Sequence, residues 1–346
     1  MTKVKTIIVT TKLTGRGNPN KEGKEGKFLW NAAAKSAKNA AGDNEAVAVQ
    51  FVDTSNDNCT FGKANYYKDA AGNIIRKPKL SGDRVRHDIF KSTNNAAIKE
   101  DINTLVAFIA SAEGILRGYL NPNKNGTTTK RKSPIIVTDA ELTNGAISQI
   151  ENHSSSGTRT DTSFFTKESL GATEYEFTTH VDLSELGVLS CCDTFDRPCV
   201  PEELQQLFEK KLSDNGISFK KVALRKQSDV QPEICYKLDD KSVNFLVNLL
   251  LYKISQIYSG NATEYVQFDS MKVILVNEDG TREEVKFTDG HLEKDFEVAS
   301  QYVEADYDEA LAAERLTREL IKKTQEKEPK KGGKKGKKSD KSTEEN

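Results

Sequence analysis

The chain has 346 residues, 36% of them hydrophobic and 30% charged, with 51 Lys and Arg against 52 Asp and Glu. That size predicts one large or two modest domains with enough apolar content for a core. Its longest apolar run, Val243–Ile254, is too short and too interrupted to span a bilayer, and no basic-then-apolar leader opens the sequence. The expectation is a soluble, cytoplasmic protein with no membrane partner.

The net charge of −1 hides a division along the chain. Residues 1–132 hold 23 Lys and Arg against 12 Asp and Glu, a net of +11. Residues 133–329 hold 21 against 37, a net of −16, and the last seventeen hold 7 against 3, a net of +4. Such asymmetry predicts one surface for a polyanion and another for a basic neighbour. Copies that meet basic face to acidic face stack head to tail, a heterologous contact that builds an open filament unless it closes into a ring. The five cysteines (Cys59, Cys191, Cys192, Cys199 and Cys235) are odd in number and poorly spaced for a tetrahedral metal. They are expected as reduced structural thiols, with no metal and no cofactor.

In chain order, Val4–Thr14 is a short β-branched run and predicts a buried strand. Gly15–Lys27 is a Gly, Asn and Pro-rich basic loop, and Ala46–Asp53 predicts a second strand. An Ala-Gly-Asn turn between Tyr67 and Ile74 predicts a hairpin. Ser81 or Asp83 is placed to cap a helix, and Asn95–Leu120 predicts a longer helix by its 3–4 apolar spacing. A basic polar loop, Asn121–Lys132, leads into a strand and turn over residues 133–142. After the Ser/Thr-rich loop Asn152–Ser163, residues Thr173–Leu183 alternate so that Tyr175, Phe177, Thr179 and Val181 share one face. Helices are expected at Pro201–Asp214 and Ser242–Tyr258, strands at 217–225 and 233–238, and a late hairpin turning at Asn277–Thr281. Asp308–Lys323 predicts an amphipathic helix, and the Lys-rich residues 326–346 cannot bury anything and predict a disordered tail. Strands and helices mix without a regular βαβ rhythm, which predicts an α+β domain on an antiparallel sheet.

Motifs for nucleotide binding, zinc hydrolysis and serine hydrolysis are absent. The four histidines, His87, His153, His180 and His291, are scattered. Two basic constellations remain. In "KPKLSGDRVRHDIFK" (Lys77–Lys91), Arg84 and Asp88 stand one helical turn apart and predict an ion pair. Val85 and Ile89 predict a buried face, which leaves Arg86 and His87 on other sides. A helix start with Ser81 and Gly82 beside arginine forks suits a phosphate. An RNA or a nucleotide phosphate fits such a start, and replacing Arg84 and Arg86 together is expected to weaken its retention without unfolding the chain. The second constellation is carried on loops: Thr127–Lys132, and Thr158–Lys167, where Phe164 and Phe165 adjoin Arg159 and Lys167. Cations beside flat apolar side chains suit single-stranded nucleic acid.

"KLSGDRVRHDIF" resembles the Ser-Gly-x-x-[Ile/Val/Leu]-Arg motif of CRISPR-associated RAMP-superfamily proteins. "FFTKESLGATEYEFTTHVDLSEL" is similar to their later Gly-x-x-[Tyr/Phe]-x-[Phe] strand. Together they resemble the backbone subunit of class 1, type I complexes, in particular a reduced type I-F variant. The resemblance implies a modified RRM or ferredoxin-like palm over residues 1–325 with helical insertions and a protruding thumb at about 152–172. It also implies a non-catalytic subunit that polymerises along crRNA with other effector subunits, with target DNA recognised by pairing to the guide. The RNA contacts it implies are Lys12, Arg16, Asn18, Ser81, Gly82, Arg84, Arg86, His87, Lys91, Lys130, Arg131, Lys132, Arg159, Phe164, Phe165 and Lys167. The RNP-type stacking aromatics of ordinary RRM strands are missing, which implies that loops grip the RNA. An endoribonuclease using His87, Asp83 or Asp161 stands as the alternative.

Overall fold

The structure, a computed structural model, describes residues 3–17, 33–38, 44–49, 59–60, 64–91, 102–121, 129–145, 148–154, 164–191, 198–226, 232–260, 264–308 and 310–312. Its organising element is β1 (Lys3–Arg16), in which Ile7, Val9, Thr11 and Leu13 are buried while Ile8, Thr10, Lys12 and Thr14 point to the other face. β1 lies antiparallel between β13 (Ala172–Asp182) and β18 (Tyr265–Asn277). On β13 the expected face is the buried one: Tyr175, Phe177, Thr179 and Val181 all lie in the core. The β1–β18 register shifts between Lys12 and Leu13, so Asp269 is an extra residue in β18 and the strand bulges there.

Beyond β13 the same sheet runs through β10 (Ala140–Leu142), β6 (Ile74–Leu80), β5 (Ala64–Lys68), β2 (Ala33–Lys38) and β3 (Asn44–Val49). At the other edge lies β17 (Tyr258–Gly260), paired to β18. Off this path, β9 (Ile135–Val137) joins β13, β19 (Arg282–Val285) joins β18 and β22 (Glu297–Val298) joins β1. The β5–β6 and β18–β19 turns are the two expected hairpins. A separate sheet orders β14 (Val188–Ser190), β16 (Glu233–Leu238), β15 (Phe219–Lys226) and β23 (Tyr302–Glu304). Two short pairs, β7 (Tyr119–Asn121) with β8 (Thr129–Arg131) and β20 (Phe287–Thr288) with β21 (His291–Leu292), complete the periphery.

The helices are α1 (Gly82–Ile89), α2 (Ile102–Ile109), α3 (Ala112–Arg117), α4 (Leu183–Leu186), α5 (Gln205–Asp214) and α6 (Asp240–Ser255). α6 packs on β18 and touches both α1 and α3, so this layer covers one face of the central sheet. Chain order β1, α1, β10, β13, α6, β18 and spatial order β18–β1–β13–β10 make a βαββαβ unit of the ferredoxin-like kind. The α+β class and antiparallel palm expected from sequence are therefore present. The opposite face of β1 and β13 has no covering helix layer among the described residues.

Three expectations change. The single helix over Asn95–Leu120 is, in its described part, two helices. The Ser111 hydroxyl accepts from the Gly114 N–H at 3.0 Å and restarts the chain as α3. Gly118, at φ 69°, then ends α3 and turns the chain into β7. The Pro201–Asp214 segment opens with a 3₁₀ turn, Glu202–Leu204, before α5. α6 starts earlier than Ser242, because the Asp239 carboxylate accepts from the Ser242 N–H at 2.8 Å.

The segment 152–172, expected as a thumb, falls partly on an antiparallel hairpin of β11 (Ser148–Ser154) and β12 (Phe164–Leu170), with β4 (Cys59–Thr60) added in parallel to β12. Residues 155–163, most of the Asp308–Lys323 segment and the whole 326–346 tail lie outside the described residues. So do the residues of the second predicted strand after Val49.

Candidate nucleic-acid interface

α1 is the basic helix singled out in the sequence, and its apolar side fixes it. Val85, Ile89 and the following Phe90 are 2%, 3% and 1% exposed and belong to the main core. Full burial of each side chain contributes about 1.5–3 kcal/mol, enough to seat an eight-residue helix that could not form alone. The start of α1 lies against the chain after β9. A Cβ on Gly82 would stand 2.6 Å from the Val137 carbonyl oxygen, so only glycine lets the helix approach this closely.

The cap at that start differs from the one expected. Ser81 holds the N-cap position but makes no side-chain capping bond. Instead Asp139, 57 residues later, accepts from the Gly82 N–H at 2.8 Å and pairs with Lys79 at 2.6 Å. Burial opposes ionisation of Asp139, but the Lys79 ammonium and the Gly82 amide outweigh it and hold the carboxyl below its usual range. The anion at this helix start is thus supplied by the protein, which corrects the picture of Ser81 and Gly82 as an open phosphate cradle. A cavity of about 380 Å³ lies beside it, lined by Ser81, Gly82, Asp83, Arg86, Asp139 and β9.

The two arginines of α1 are tied into the fold. Arg84 Nε pairs with Asp88 at 3.0 Å as expected, and its Nη2 also donates to the Ser259 hydroxyl on β17. The Asp88 side chain is only 3% exposed, and its Oδ1 has no hydrogen-bond partner among the described residues. Arg86 is half-buried and donates to the Arg117 carbonyl at the end of α3. Burial first, and the neighbouring Arg117 charge second, lower its pKa against the pull of Asp83. Removing both arginines therefore also breaks contacts of the fold. His87 and Lys91 are exposed, and Lys91 Nζ donates to the Tyr258 carbonyl of β17 at 2.7 Å.

Arg131 is the clearest departure from the sequence-based set. It is 8% exposed, and its guanidinium donates to the carbonyls of Ile115 and Val188 at 2.9 and 2.8 Å. Longer bonds reach the Glu185 and Leu186 carbonyls, both at 3.3 Å. A buried fork with four of its five N–H groups on carbonyls is turned into the fold, so Arg131 is a tie between α3, α4 and β14. Its neighbour Lys132 is exposed, and Lys130 is partly so.

On the open sheet face Lys12 stands in register with Glu176 and Ser270, and Arg16 with Tyr265. Both cations are exposed. Among the described residues the open face of β1 and β13 carries Thr10, Lys12, Thr14, Glu174, Glu176, Thr178 and His180, with no Phe, Tyr or Trp. The absence of RNP-type rings on these central strands is as expected. Phe164, Phe165 and Lys167 fall on the backbone of β12, opposite Ser154, His153 and Glu151, while Asn18 and Arg159 lie outside the described residues.

The structure thus gathers Arg16, Arg84 and Lys91 at one corner, around β17 and the start of β18. Two residues there were missed by the sequence reading. Tyr258 is 52% exposed and its ring lies 6.3 Å from that of Tyr265, with 23° between the planes. The pairing of Tyr258 with Gln267, and of Gly260 with Tyr265, puts both rings on the face that carries Arg16. The alternation in "YSGNATEYVQF" was the available signal, but no RNP consensus marks it.

Farther along this face, the Tyr67 hydroxyl and the Asn65 amide both donate to Glu141 Oε1. Burial first, then that hydrogen bond and the carboxylate charge, push the Tyr67 phenol up to about 12. Lys77 Nζ lies 5.1 Å from the centre of the same ring.

No helix among the described residues is long and apolar enough to cross a membrane. Comparison with known proteins places this geometry in context. No curated protein matches the chain. Among solved structures it is similar to a chain of a "CRISPR RNA-guided surveillance complex", with 8% identity, TM-score 0.36, and coverage of 92% of this chain and 84% of that one. A second is a chain of a "CRISPR RNA-guided surveillance complex, pre-nicking", with 9% identity, TM-score 0.35 and 79% of each chain covered. A chain of a "Type IV-B CRISPR Complex" matches at 10% identity and TM-score 0.28, over 60% of this chain and 80% of that one. The family model of the type I-Fv CRISPR-associated protein Cas7fv-like matches residues 29–306. The match takes in α1, β10, β13, α6, β18 and the β11–β12 hairpin but not β1, and the chain belongs to the Cas7fv-like family of type I-Fv CRISPR-associated proteins.

Proposed function

We propose that this protein is the non-catalytic, crRNA-binding backbone subunit of a CRISPR surveillance complex, and that copies of it stack head to tail along the guide. Family membership across residues 29–306 is the observation that carries the reading. The surface chemistry supports it. Exposed Lys12, Arg16, Lys91 and Lys132 offer cations to a phosphate chain and His87 a hydrogen-bonding ring, while the carboxylates Glu174 and Glu176 on the open face of β13 repel one. RNA held by its backbone at the rim of the palm leaves its bases free to pair with target DNA. The charges of +11 on residues 1–132 and −16 on residues 133–329 support head-to-tail stacking. The exposed acidic set Glu278, Asp279 and Glu284 on the β18–β19 hairpin supplies part of the second surface.

The test is co-expression with a CRISPR array, followed by sizing of the purified protein and sequencing of the nucleic acid it carries. A multimer holding RNA with spacer sequences is expected, and an RNA-free monomer overturns the reading. Labelled repeat and target RNA should stay intact with and without divalent metal. Specific cleavage abolished by His87→Ala or Asp83→Ala would replace the non-catalytic reading with an endoribonuclease.

A further inference from the structure

We propose that Tyr258 and Tyr265 form a platform on which one unpaired base of single-stranded RNA stacks, with Arg16 and Lys91 holding the phosphates on either side. This inference rests on the RNA-binding reading above and names a subsite within it.

A tyrosine ring half exposed on a β-edge is an apolar surface without cover, and here it is braced. Tyr265 lies behind it at a 6.3 Å centroid separation and a shallow 23° tilt, within the range of offset ring pairs. The edge strand that carries Tyr258 is fixed from below by α1. Lys91 Nζ holds the Tyr258 carbonyl, and Arg84 holds the hydroxyl of Ser259, which is 1% exposed. The two tyrosine-bearing strands approach closely at Gly260, where φ is 128° and a Cβ would stand 2.1 Å from the Glu264 carbonyl oxygen. The ring is thus presented on a preorganised edge, which lowers the ordering cost of binding.

The charges around it select the occupant. Arg16 stands beside Tyr265 in strand register and is exposed, and Lys91 approaches the edge from the helix side. Lys12 follows on the same face, two residues from Thr14 and four from Arg16. Among the described residues the nearby carboxylates are Asp269 at the bulge, Glu174 opposite Thr14 on the far side of β1, the buried Glu264, and the buried Asp88, which is paired with Arg84. A flat exposed ring between two cations matches a base between two phosphates, the arrangement that single-strand binders use. An apolar helix or strand of a protein partner would leave both cations without counter-charge.

The experiment uses the full chain stripped of bound nucleic acid in high salt. Its affinity is measured for a short unstructured RNA and for an abasic ribose-phosphate strand of the same length. Tyr258→Ala should weaken binding to the base-bearing strand about 5- to 150-fold and leave abasic-strand binding unchanged, and Tyr258→Trp should restore it. Arg16→Ala should weaken both strands and reduce the log–log salt slope by about one, whereas Tyr258→Ala should leave that slope as it was. Far-UV circular dichroism and melting verify folding, and Tyr258→Phe, which keeps the ring, should bind like the parent. If the parent binds the RNA and Tyr258→Ala binds it equally well, the platform is wrong while the RNA-binding reading stands. If Tyr258→Ala weakens both strands alike, the ring serves the fold of the edge and the platform is again wrong. If the parent binds neither strand at low salt, both fall together.

Discussion

Replacing Gly82 with alanine sets two local effects against each other, and the structure decides the sign. In a helix, alanine is favoured over glycine by about 1 kcal/mol because it loses less backbone freedom on folding. Helix propensity alone therefore predicts a stabilised protein. At this position, however, the new methyl would lie 2.6 Å from the Val137 oxygen and 3.3 Å from the carbonyl carbon and oxygen of Thr138. That backbone cannot rotate away: Val137 pairs with Thr179, and the Thr138 N–H donates to the Thr178 carbonyl at 2.9 Å. Relief requires α1 to lift from β9, which loosens Val85 and Ile89 and stretches the bond from Gly82 to Asp139. Overpacking of this kind costs about 1–3 kcal/mol and exceeds the propensity gain. Gly171→Ala is the internal control, because a Cβ there meets nothing within 4 Å. Thermal melting should show Gly82→Ala lowered by roughly 2–8 °C and Gly171→Ala unchanged or raised. A Gly82→Ala protein that melts at or above the parent would refute the steric account of this glycine.

Three further outcomes follow from the same coordinates. Arg84→Ala should destabilise by about 1–3 kcal/mol, because it strips the cation from the buried Asp88 carboxylate. The double variant with Asp88→Ala should be more stable than the single one in urea denaturation, and equal losses would argue against a working pair. Arg131→Lys should cost about 2–4 kcal/mol, since one ammonium cannot serve the carbonyls of both Ile115 and Val188, while RNA affinity per folded molecule should be unchanged. The Tyr67 phenol, pushed up to about 12, keeps its proton in the fold at pH values where an unfolded tyrosine has lost it. Its contribution to stability is complete below about pH 10 and fades as pH rises towards 12. Denaturation midpoints of the parent should fall faster across that window than those of Tyr67→Phe, and parallel curves would count against the Glu141 bond.

What was legible in the sequence was whatever a local pattern determines. The alternation of Tyr175, Phe177, Thr179 and Val181 fixed the buried face of β13, and the spacing of Val85 and Ile89 fixed the seat of α1. The Arg84–Asp88 pair followed from one helical turn. What stayed hidden depends on partners distant in the chain. Asp139 caps a helix that begins 57 residues earlier, and nothing near Ser81 announces it. Arg131 reads as one of three consecutive cations in a polar loop, yet carbonyls up to 57 residues away draw it inside. Tyr258 and Tyr265 are seven residues apart and become neighbours only because β17 turns back on β18. The break at Ser111 failed for another reason: a hydroxyl that competes for a backbone amide overrides an apolar spacing that continues through it.

The burial of Arg131 and the commitment of Arg84 and Arg86 change where an RNA backbone can lie. A basic sequence motif invites the assumption that its arginines face the ligand, but here those guanidiniums knit α1 to β17 and α3. Their role at the interface is to position: they fix the edge strand and the helix that carry the exposed groups Tyr258, Lys91 and His87. Arg84 and Lys91 act on successive residues of β17, one through the Ser259 hydroxyl in the core and one through the Tyr258 carbonyl at the rim. A helix and its end that hold two successive residues of a strand couple the stability of the palm to the geometry of its rim. Loss of Arg84 should therefore weaken RNA binding as well as melting, whereas loss of Arg16 should weaken binding alone. The two variants separate a residue that builds the corner from one that faces the phosphates.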